Sequence, residues 1–316
     1  MSVSSEVLRP FWLTGISEIS GKAISPFKGW LTEGQFIFLE KKAPEEFVFL
    51  CTHFNEMMRA QAHDINKFSM ASLESIHGIP SSLDVARSAA WTSIRAYYAA
   101  FFSTHALSRI LGYAISQLDN SHILKLNEAI SLVDSNHTKL EAGLYRLELF
   151  PVENTFSIKK IKKNSHEGTW NEFGITVEKL SKDILLNESN STVEAQNTSI
   201  MLGNLLEIFK TDHCQSGYNW LSYIRNQINY QLTDNVWYPH EGSSKFRAKM
   251  NACIALWRKD PLELDGDNTP RILKFTKACV LTVALMRVTL LEIKKRNSLN
   301  DSFLNYGTSQ LLSQCL

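Results

Sequence analysis

One long apolar segment, residues 84–112, most constrains how this chain folds. Apolar side chains recur there at spacings of three and four, over a face too broad for a helix lying on the surface. The pattern predicts a helix that ends at Gly112 and is buried on most sides. The positions of this face are Ala89, Ile94, Tyr97, Tyr98, Phe101, His105, Leu107, Ile110 and Leu111.

The rest of the sequence also favours helices. Only 14 Gly and 8 Pro occur in 316 residues, which disfavours a turn-rich all-β fold. We expect a mainly α protein, an antiparallel helical bundle with a short irregular or β-containing N-terminal arm. Besides 84–112, helices are predicted near 44–68, 121–134, 138–149, 170–186, 199–211, 217–231, 243–257 and 269–296.

The predicted organisation has three parts. An arm rich in glycine covers residues 1–43, a helical domain covers 44–298, and a C-terminal tail covers 299–316. Residues 187–198 are almost wholly polar and predict a surface loop within the helical domain.

Charge and cysteine content limit the class of protein. Thirty-three basic and 32 acidic residues give a net charge of +1, so any contact with nucleic acid requires a local basic patch. Five scattered cysteines without a CxxC pair disfavour a disulfide scaffold. No segment has the pattern of a signal peptide or a membrane span, and we expect a cytoplasmic protein that does not bind membranes.

Several catalytic signatures are missing from the sequence. It contains no GxxxxGK[ST], GxGxxG, HExxH or GxSxG motif, and no two ligand pairs at zinc spacing. We therefore predict no metal and no cofactor. The densest basic run, 158–163, is either a solvated face or a contact for RNA or DNA. Its cations are Lys159, Lys160, Lys162 and Lys163.

The most informative polar cluster lies in the predicted helix 217–231. Asn226 and Tyr230 are four positions apart and therefore share a face, with Arg225 beside them. One interpretation is a network that fixes helix packing; the other is a functional site. Because apolar residues surround Arg225, we expect its guanidinium to face a groove or interface and not bulk solvent.

Two stretches resemble the HEPN superfamily of helical-bundle proteins. Residues 91–112 resemble the long first helix of such domains, and Arg225-Asn226 resembles the start of the family's Arg-polar-x3-His motif. The resemblance implies a dimeric helical bundle that either cleaves RNA without a metal or binds without catalysis. It also implies a bacterial defence or toxin-type system. The catalytic set would be Arg225, Asn226 and Tyr230.

The chain departs from that motif at its histidine. Positions 230–232 hold Tyr, Gln and Leu, and tyrosine, with an ordinary pKa of about 10, is a poor base at neutral pH. A histidine from another helix or from a partner subunit would have to replace it. The sequence offers His105, His213 and His240 as candidates.

Three functions follow from these observations. The first is binding or cleavage of RNA around Arg225. The second is a non-catalytic subunit that forms a homodimer or docks to a larger effector, with Arg225 in a structural role. The third is a nucleic-acid adaptor that uses the lysines of 158–163 without cleavage.

Overall fold

The computed structural model describes residues 2–83, 88–134, 139–187, 192–210, 217–238, 241–263 and 270–313. These ranges contain eleven α-helices and five β-strands. The helices are α1 (Val3–Leu8), α2 (Phe27–Glu33), α3 (Phe54–Leu83), α4 (Ala89–Ile110), α5 (Asn120–Ser131), α6 (Ser165–Leu186), α7 (Thr192–Phe209), α8 (Trp220–Tyr230), α9 (Glu241–Ala255), α10 (Arg271–Arg296) and α11 (Thr308–Ser313). The strands are β1 (Phe36–Ala43), β2 (Glu46–Cys51), β3 (Tyr113–Leu118), β4 (Gly143–Phe150) and β5 (Thr155–Ile161).

The predicted fold class, a mainly α helical bundle, is wrong. The five strands form one antiparallel sheet in the order β1-β2-β5-β4-β3, so the protein is mixed α/β. Only β1 lies within the predicted N-terminal arm. The other strands come from the region 44–298, which the sequence predicts to be helical. Two of the pairings, β2 with β5 and β3 with β4, join segments far apart in the sequence.

The long helices predicted from apolar periodicity are confirmed. Helix α4 packs against α3 and α10, and its alanines at 96, 99, 100 and 106 are fully buried. These small side chains let the neighbouring helices approach closely, and the Oγ atoms of Ser72 and Ser103 lie 2.8 Å apart between α3 and α4. Helix α10 is buried along most of its length and extends to Arg296, the predicted end.

One face of the sheet carries an aromatic core. Phe49 of β2 is opposite Phe156 of β5 in the strand register, and their rings stack with centroids 5.1 Å apart. The ring of Trp30 in α2 packs on those of Phe36 and Phe156, with ring centroids 5.7 and 5.6 Å apart, respectively. The opposite face carries the smaller cluster of Tyr113, Ile115 and Leu144, and α6 lies over it.

Strands replace the start of one predicted helix and much of another. The segment 44–68 becomes helical only at Phe54, since the apolar run Glu46–Cys51 pairs with β1 and β5. In the segment 138–149, buried residues alternate as Tyr145, Leu147 and Leu149 in β4. A short apolar run fits a buried strand as well as a helix, and only its pairing partners separate the two.

The chain after α10 returns to α3. The hydroxyl of Thr308 donates to Oδ1 of Asn66 at 2.6 Å, and Phe303, Leu304 and Leu312 are buried. Earlier in the chain, α7 begins at Thr192, inside the segment 187–198 for which the sequence predicts a loop. Residues 188–191 lie outside the described residues.

Candidate functional site

Helix α8 holds Arg225 against α4 and α6. Trp220, Ile224 and Ile228 are fully buried and fix the helix in place, while Arg225 itself is only 7% exposed. The prediction that Arg225 avoids bulk solvent is therefore confirmed. A guanidinium in such a position requires hydrogen-bond partners, because burial of an unpaired charge is costly.

Three side chains from three helices accept hydrogen bonds from Arg225. Nη1 donates to Oδ1 of Asn226 at 2.7 Å, and Nη2 donates to the Tyr98 hydroxyl at 2.5 Å and to Nε2 of His166 at 3.3 Å. The rings of Tyr97, Tyr98 and Tyr230 surround the guanidinium, with their centroids 5.4 to 5.7 Å from Cζ. Nε of Arg225 is buried and has no hydrogen-bond partner among the described residues.

His166 reaches the site from the first turn of α6. The side chain of Asn164 caps this helix by accepting from the backbone N–H of Glu167 at 2.9 Å, which fixes the direction of the turn. Nδ1 of His166 lies 3.0 Å from the Tyr97 hydroxyl, which also accepts from Nε1 of Trp170 at 3.0 Å. Both ring nitrogens of His166 therefore have partners within the protein.

The arginine contact determines which nitrogen of His166 carries the proton. A guanidinium only donates hydrogen bonds, so Nε2 must accept with its lone pair and the proton of the neutral ring is on Nδ1. Burial first, and the charge of Arg225 second, lower the pKa of His166 to about 4. At neutral pH the ring is uncharged, in the state required of a proton acceptor.

Tyr97 is a structural partner in this network. Burial is the main factor that raises the pKa of its hydroxyl, so the group stays protonated throughout the physiological range. Its fully buried ring packs parallel to that of Phe275, with centroids 6.3 Å apart and an interplanar angle of 5°. Tyr97 thus holds His166 from the core side, leaving Nε2 directed toward Arg225.

The site is open on one side. Asn226 is exposed, Tyr98 and His166 are half-buried, and Tyr230 is 70% exposed. The structure thus brings together the three predicted residues, Arg225, Asn226 and Tyr230. A ligand approaching from solvent would meet the Tyr230 ring and Asn226 first, with Arg225 behind them.

The histidine at this site is His166, which was not among the sequence candidates. His105 lies instead between Phe68 and Phe101, with ring centroids 4.8 Å from each, and burial lowers its pKa to about 3. His213 and His240 are outside the described residues. The sequence does contain a local signal, because Asn164 followed by Glu167 is typical of a helix start. That signal places His166 on a helix without revealing its partner.

The predicted basic run follows β5 and the turn after it. Lys160 contacts Glu141 at 2.9 Å, Lys162 contacts Glu45 at 2.5 Å, and Lys163 contacts Glu167 at 3.2 Å. Carboxylates thus offset much of the positive charge. Contact of nucleic acid with these lysines stays a prediction.

Lys159, the fourth lysine of the run, lines a groove between the sheet and α6. Its volume is about 700 Å³. Lys159 is opposite Arg146 in the strand register, and the Arg146 guanidinium lies 4.0 Å from the centroid of the Tyr113 ring and 3.3 Å from Glu172. The groove is lined by both acidic and basic side chains and is not a uniformly basic surface.

Within the described part of the chain, no three histidine, cysteine, aspartate or glutamate side chains are grouped so that they could hold a metal ion. No helix in these ranges is long and apolar enough to cross a membrane.

No protein-family model, characterised protein or solved structure matches this chain. The relationship to the HEPN superfamily therefore stays an interpretation of residues 91–112 and of the Arg225-Asn226 pair.

Proposed function

We propose that the protein binds and cleaves RNA without a metal ion at the site formed by Arg225 and His166. The observation that carries the proposal is the 3.3 Å contact between Nη2 of Arg225 and Nε2 of His166. It supplies, from a different helix, the histidine that is missing after Arg225 in the sequence. An arginine beside a neutral histidine is a suitable pair for phosphodiester chemistry, since one binds the phosphate and the other accepts a proton.

The reaction is an internal transfer within the RNA. Nε2 of His166 accepts the proton of a 2′-hydroxyl, the 2′-oxygen forms a bond to the adjacent phosphorus, and the bond from phosphorus to the 5′-oxygen breaks. The leaving 5′-oxygen takes a proton from water. The products are a 2′,3′-cyclic phosphate and a 5′-hydroxyl, and no oxidant, reductant or metal is required.

Arg225 has two roles in this proposal. In the free protein, Nη2 of Arg225 donates a hydrogen bond to the lone pair on Nε2 of His166. While this bond is present, Nε2 is not available to accept a proton from the RNA. A phosphate that binds the guanidinium would compete for the same N–H groups and release Nε2. The buried Nε of Arg225, which has no partner in the described residues, is a further donor for that phosphate. The charge that develops on the phosphate oxygens would then be stabilised by a group already in place.

The residues around Arg225 have supporting roles. Asn226 accepts from Nη1 and Tyr98 accepts from Nη2, so both orient the guanidinium. The exposed Tyr230 ring offers a surface for a base next to the bound phosphate. The lysines of 158–163 lie at the end of β5 and in the turn before α6, which carries His166 in its first turn. They would contact the RNA backbone on the β5 side of the reacting phosphate.

A second function is favoured by the burial of Arg225. Its hydrogen bonds link α8 to α4 and α6, as expected of a network that fixes packing. On this reading the protein is a non-catalytic subunit that forms a homodimer or docks to a larger effector. Membership of a bacterial defence or toxin-type system belongs to either proposal and rests on the resemblance alone.

Incubation of labelled RNA with the purified protein at neutral pH in EDTA separates the two functions. We expect cleavage by the wild type with 2′,3′-cyclic phosphate ends, and a decrease of roughly 10²- to 10⁴-fold for His166→Asn. His53→Asn is the matched control, because His53 is exposed and its ring nitrogen Nδ1 hydrogen-bonds the Thr52 hydroxyl at 3.2 Å, away from Arg225 in the network described above. Absence of cleavage by the wild type, or equal cleavage by His166→Asn, would reject the catalytic proposal.

A further inference from the structure

An exposed tryptophan lies near the Arg225 site. Trp91, in the first turn of α4, is 53% exposed, and its ring meets that of Trp237 edge-on with centroids 5.4 Å apart. All seven tryptophans of the chain fall in the described residues, and the other six are buried or half-buried. Trp91 is therefore the one tryptophan whose ring is mainly in water.

Helices α4 and α8 connect this aromatic pair to the Arg225 site. Trp91 and Tyr98 are seven positions apart, or nearly two turns, so they share one face of α4 at a separation of about 10 Å. Trp237 is held near the C-terminal end of α8, where its Nε1 donates to the carbonyl of Ile228 at 2.8 Å. The surface thus continues from Arg225 to Trp91 along both helices.

The surface between Arg225 and Trp91 carries exposed aromatic rings and a second arginine. Tyr230 and Tyr238 are exposed, as is Trp91 itself. Arg271 is exposed, its Cζ lies 5.8 Å from the ring centroid of Tyr223, and its Nη1 pairs with Oδ1 of Asp234 at 3.3 Å. Exposed aromatic rings among arginines are typical of surfaces that stack unpaired bases and bind the backbone between them. In a base-paired RNA helix the bases are stacked on each other, and their faces are not accessible to such rings.

We propose that Trp91, supported by Trp237, stacks on an unpaired base of single-stranded RNA whose phosphate is held at Arg225. The inference rests on the proposed function and adds the substrate class to it. Trp91 lies about 10 Å along α4 from Tyr98, whose hydroxyl accepts from Arg225. A stacked strand advances about 3.4 Å per nucleotide, so this distance along α4 corresponds to roughly three nucleotides. Single strands are then the substrate, and fully paired RNA is not.

The test measures binding of a short fluorescein-labelled single-stranded RNA by anisotropy, using the full chain with the His166→Asn substitution so that the probe stays intact. In this background we expect Trp91→Ala to weaken binding roughly 5- to 100-fold and Trp91→Phe, which keeps a ring, to retain most of it. Leu132→Ala is the control, because Leu132 is exposed and lies after α5. The same RNA annealed to its complement should bind more weakly and be insensitive to Trp91→Ala.

The outcomes distinguish this inference from the proposed function. Equal binding by Trp91→Ala, with His166-dependent cleavage intact in the parent protein, overturns the stacking site alone. A change in sedimentation with Trp91→Ala but no change in RNA binding overturns it as well, and assigns the patch to a second copy of the chain. If the parent protein does not cleave RNA and the His166→Asn protein does not bind it, both proposals are rejected. Quenching of tryptophan fluorescence by the RNA, lost in Trp91→Ala, is the direct signature of stacking.

Discussion

Nε2 of His166 lies 3.3 Å from Nη2 of Arg225, although 59 positions separate the two residues in the sequence. The contact joins the first turn of α6 to the middle of α8. It has a thermodynamic consequence, because a positive charge beside a half-buried imidazole disfavours the imidazolium form.

The first prediction concerns the pH dependence of stability. Burial and Arg225 lower the pKa of His166 from an ordinary 6.5 to about 4. Between those values the unfolded chain binds a proton that the folded protein does not, so stability is fully present above pH 6.5 and decreases as the pH falls toward 4. We expect His166 to account for about 1 to 3 kcal/mol of that decrease.

Urea unfolding across this pH range checks the first prediction. His105 has a lowered pKa as well and contributes with the same sign, so wild type must be compared with His166→Gln. The variant should lose less stability on acidification than the wild type. In NMR titrations, Arg225→Ala should raise the pKa of His166. Parallel stability curves for wild type and His166→Gln would contradict the assignment.

The second prediction concerns the chemistry of Arg225. Lysine keeps the charge but has no planar fork to reach Asn226, Tyr98 and His166 together. We expect Arg225→Lys to impair function nearly as much as Arg225→Ala, and each to lower the free energy of unfolding by about 1 to 3 kcal/mol if the role is structural. Thermal unfolding and RNA cleavage are measured on the same preparations.

The variant Tyr98→Phe provides a further test of the role of Arg225. Tyr98→Phe removes one acceptor of Arg225 and leaves the ring, so its effect should not add to that of Arg225→Ala. If Arg225→Ala loses RNA cleavage but keeps its stability, the result favours a catalytic role for Arg225. If cleavage and stability decrease together, the result favours a structural role in helix packing. Wild-type behaviour of Arg225→Ala in both measurements would exclude a role for this residue.

The third prediction concerns the packing of α6. A Cβ added at Gly174 would lie 2.1 Å from Cγ of the buried Tyr218, whose hydroxyl donates to Glu178 at 2.5 Å. Gly174→Ala should therefore destabilise the protein by about 1 to 3 kcal/mol. Gly203→Ala is the matched control in α7, because within the described part of the chain the added Cβ would have no atom within 4 Å apart from its chain neighbours and the nearby backbone of α7. It should stabilise by about 0.5 to 1 kcal/mol. Chemical denaturation of both variants measures the difference, and equal stabilities would contradict this packing.

The sequence by itself determined the long helices and the composition of the Arg225 cluster. Residues of α4 and α10 repeat apolar side chains over many turns, and local periodicity of that length is specific for a helix. Asn226 and Tyr230 belong to the same helix as Arg225, so their proximity follows from helix geometry alone. For the same reason the burial of Arg225 was predictable from its neighbours.

Tertiary structure alone decided the sheet and the histidine. The segments that became β2 and β4 are short apolar runs, and their conformation depends on hydrogen bonds to strands distant in the sequence. His166 became a partner of Arg225 only because α6 packs against α8, a contact that leaves no periodic signal in the chain. Local patterns report the conformation of a segment, whereas a site built across helices depends on long-range packing, which is set by the whole core at once.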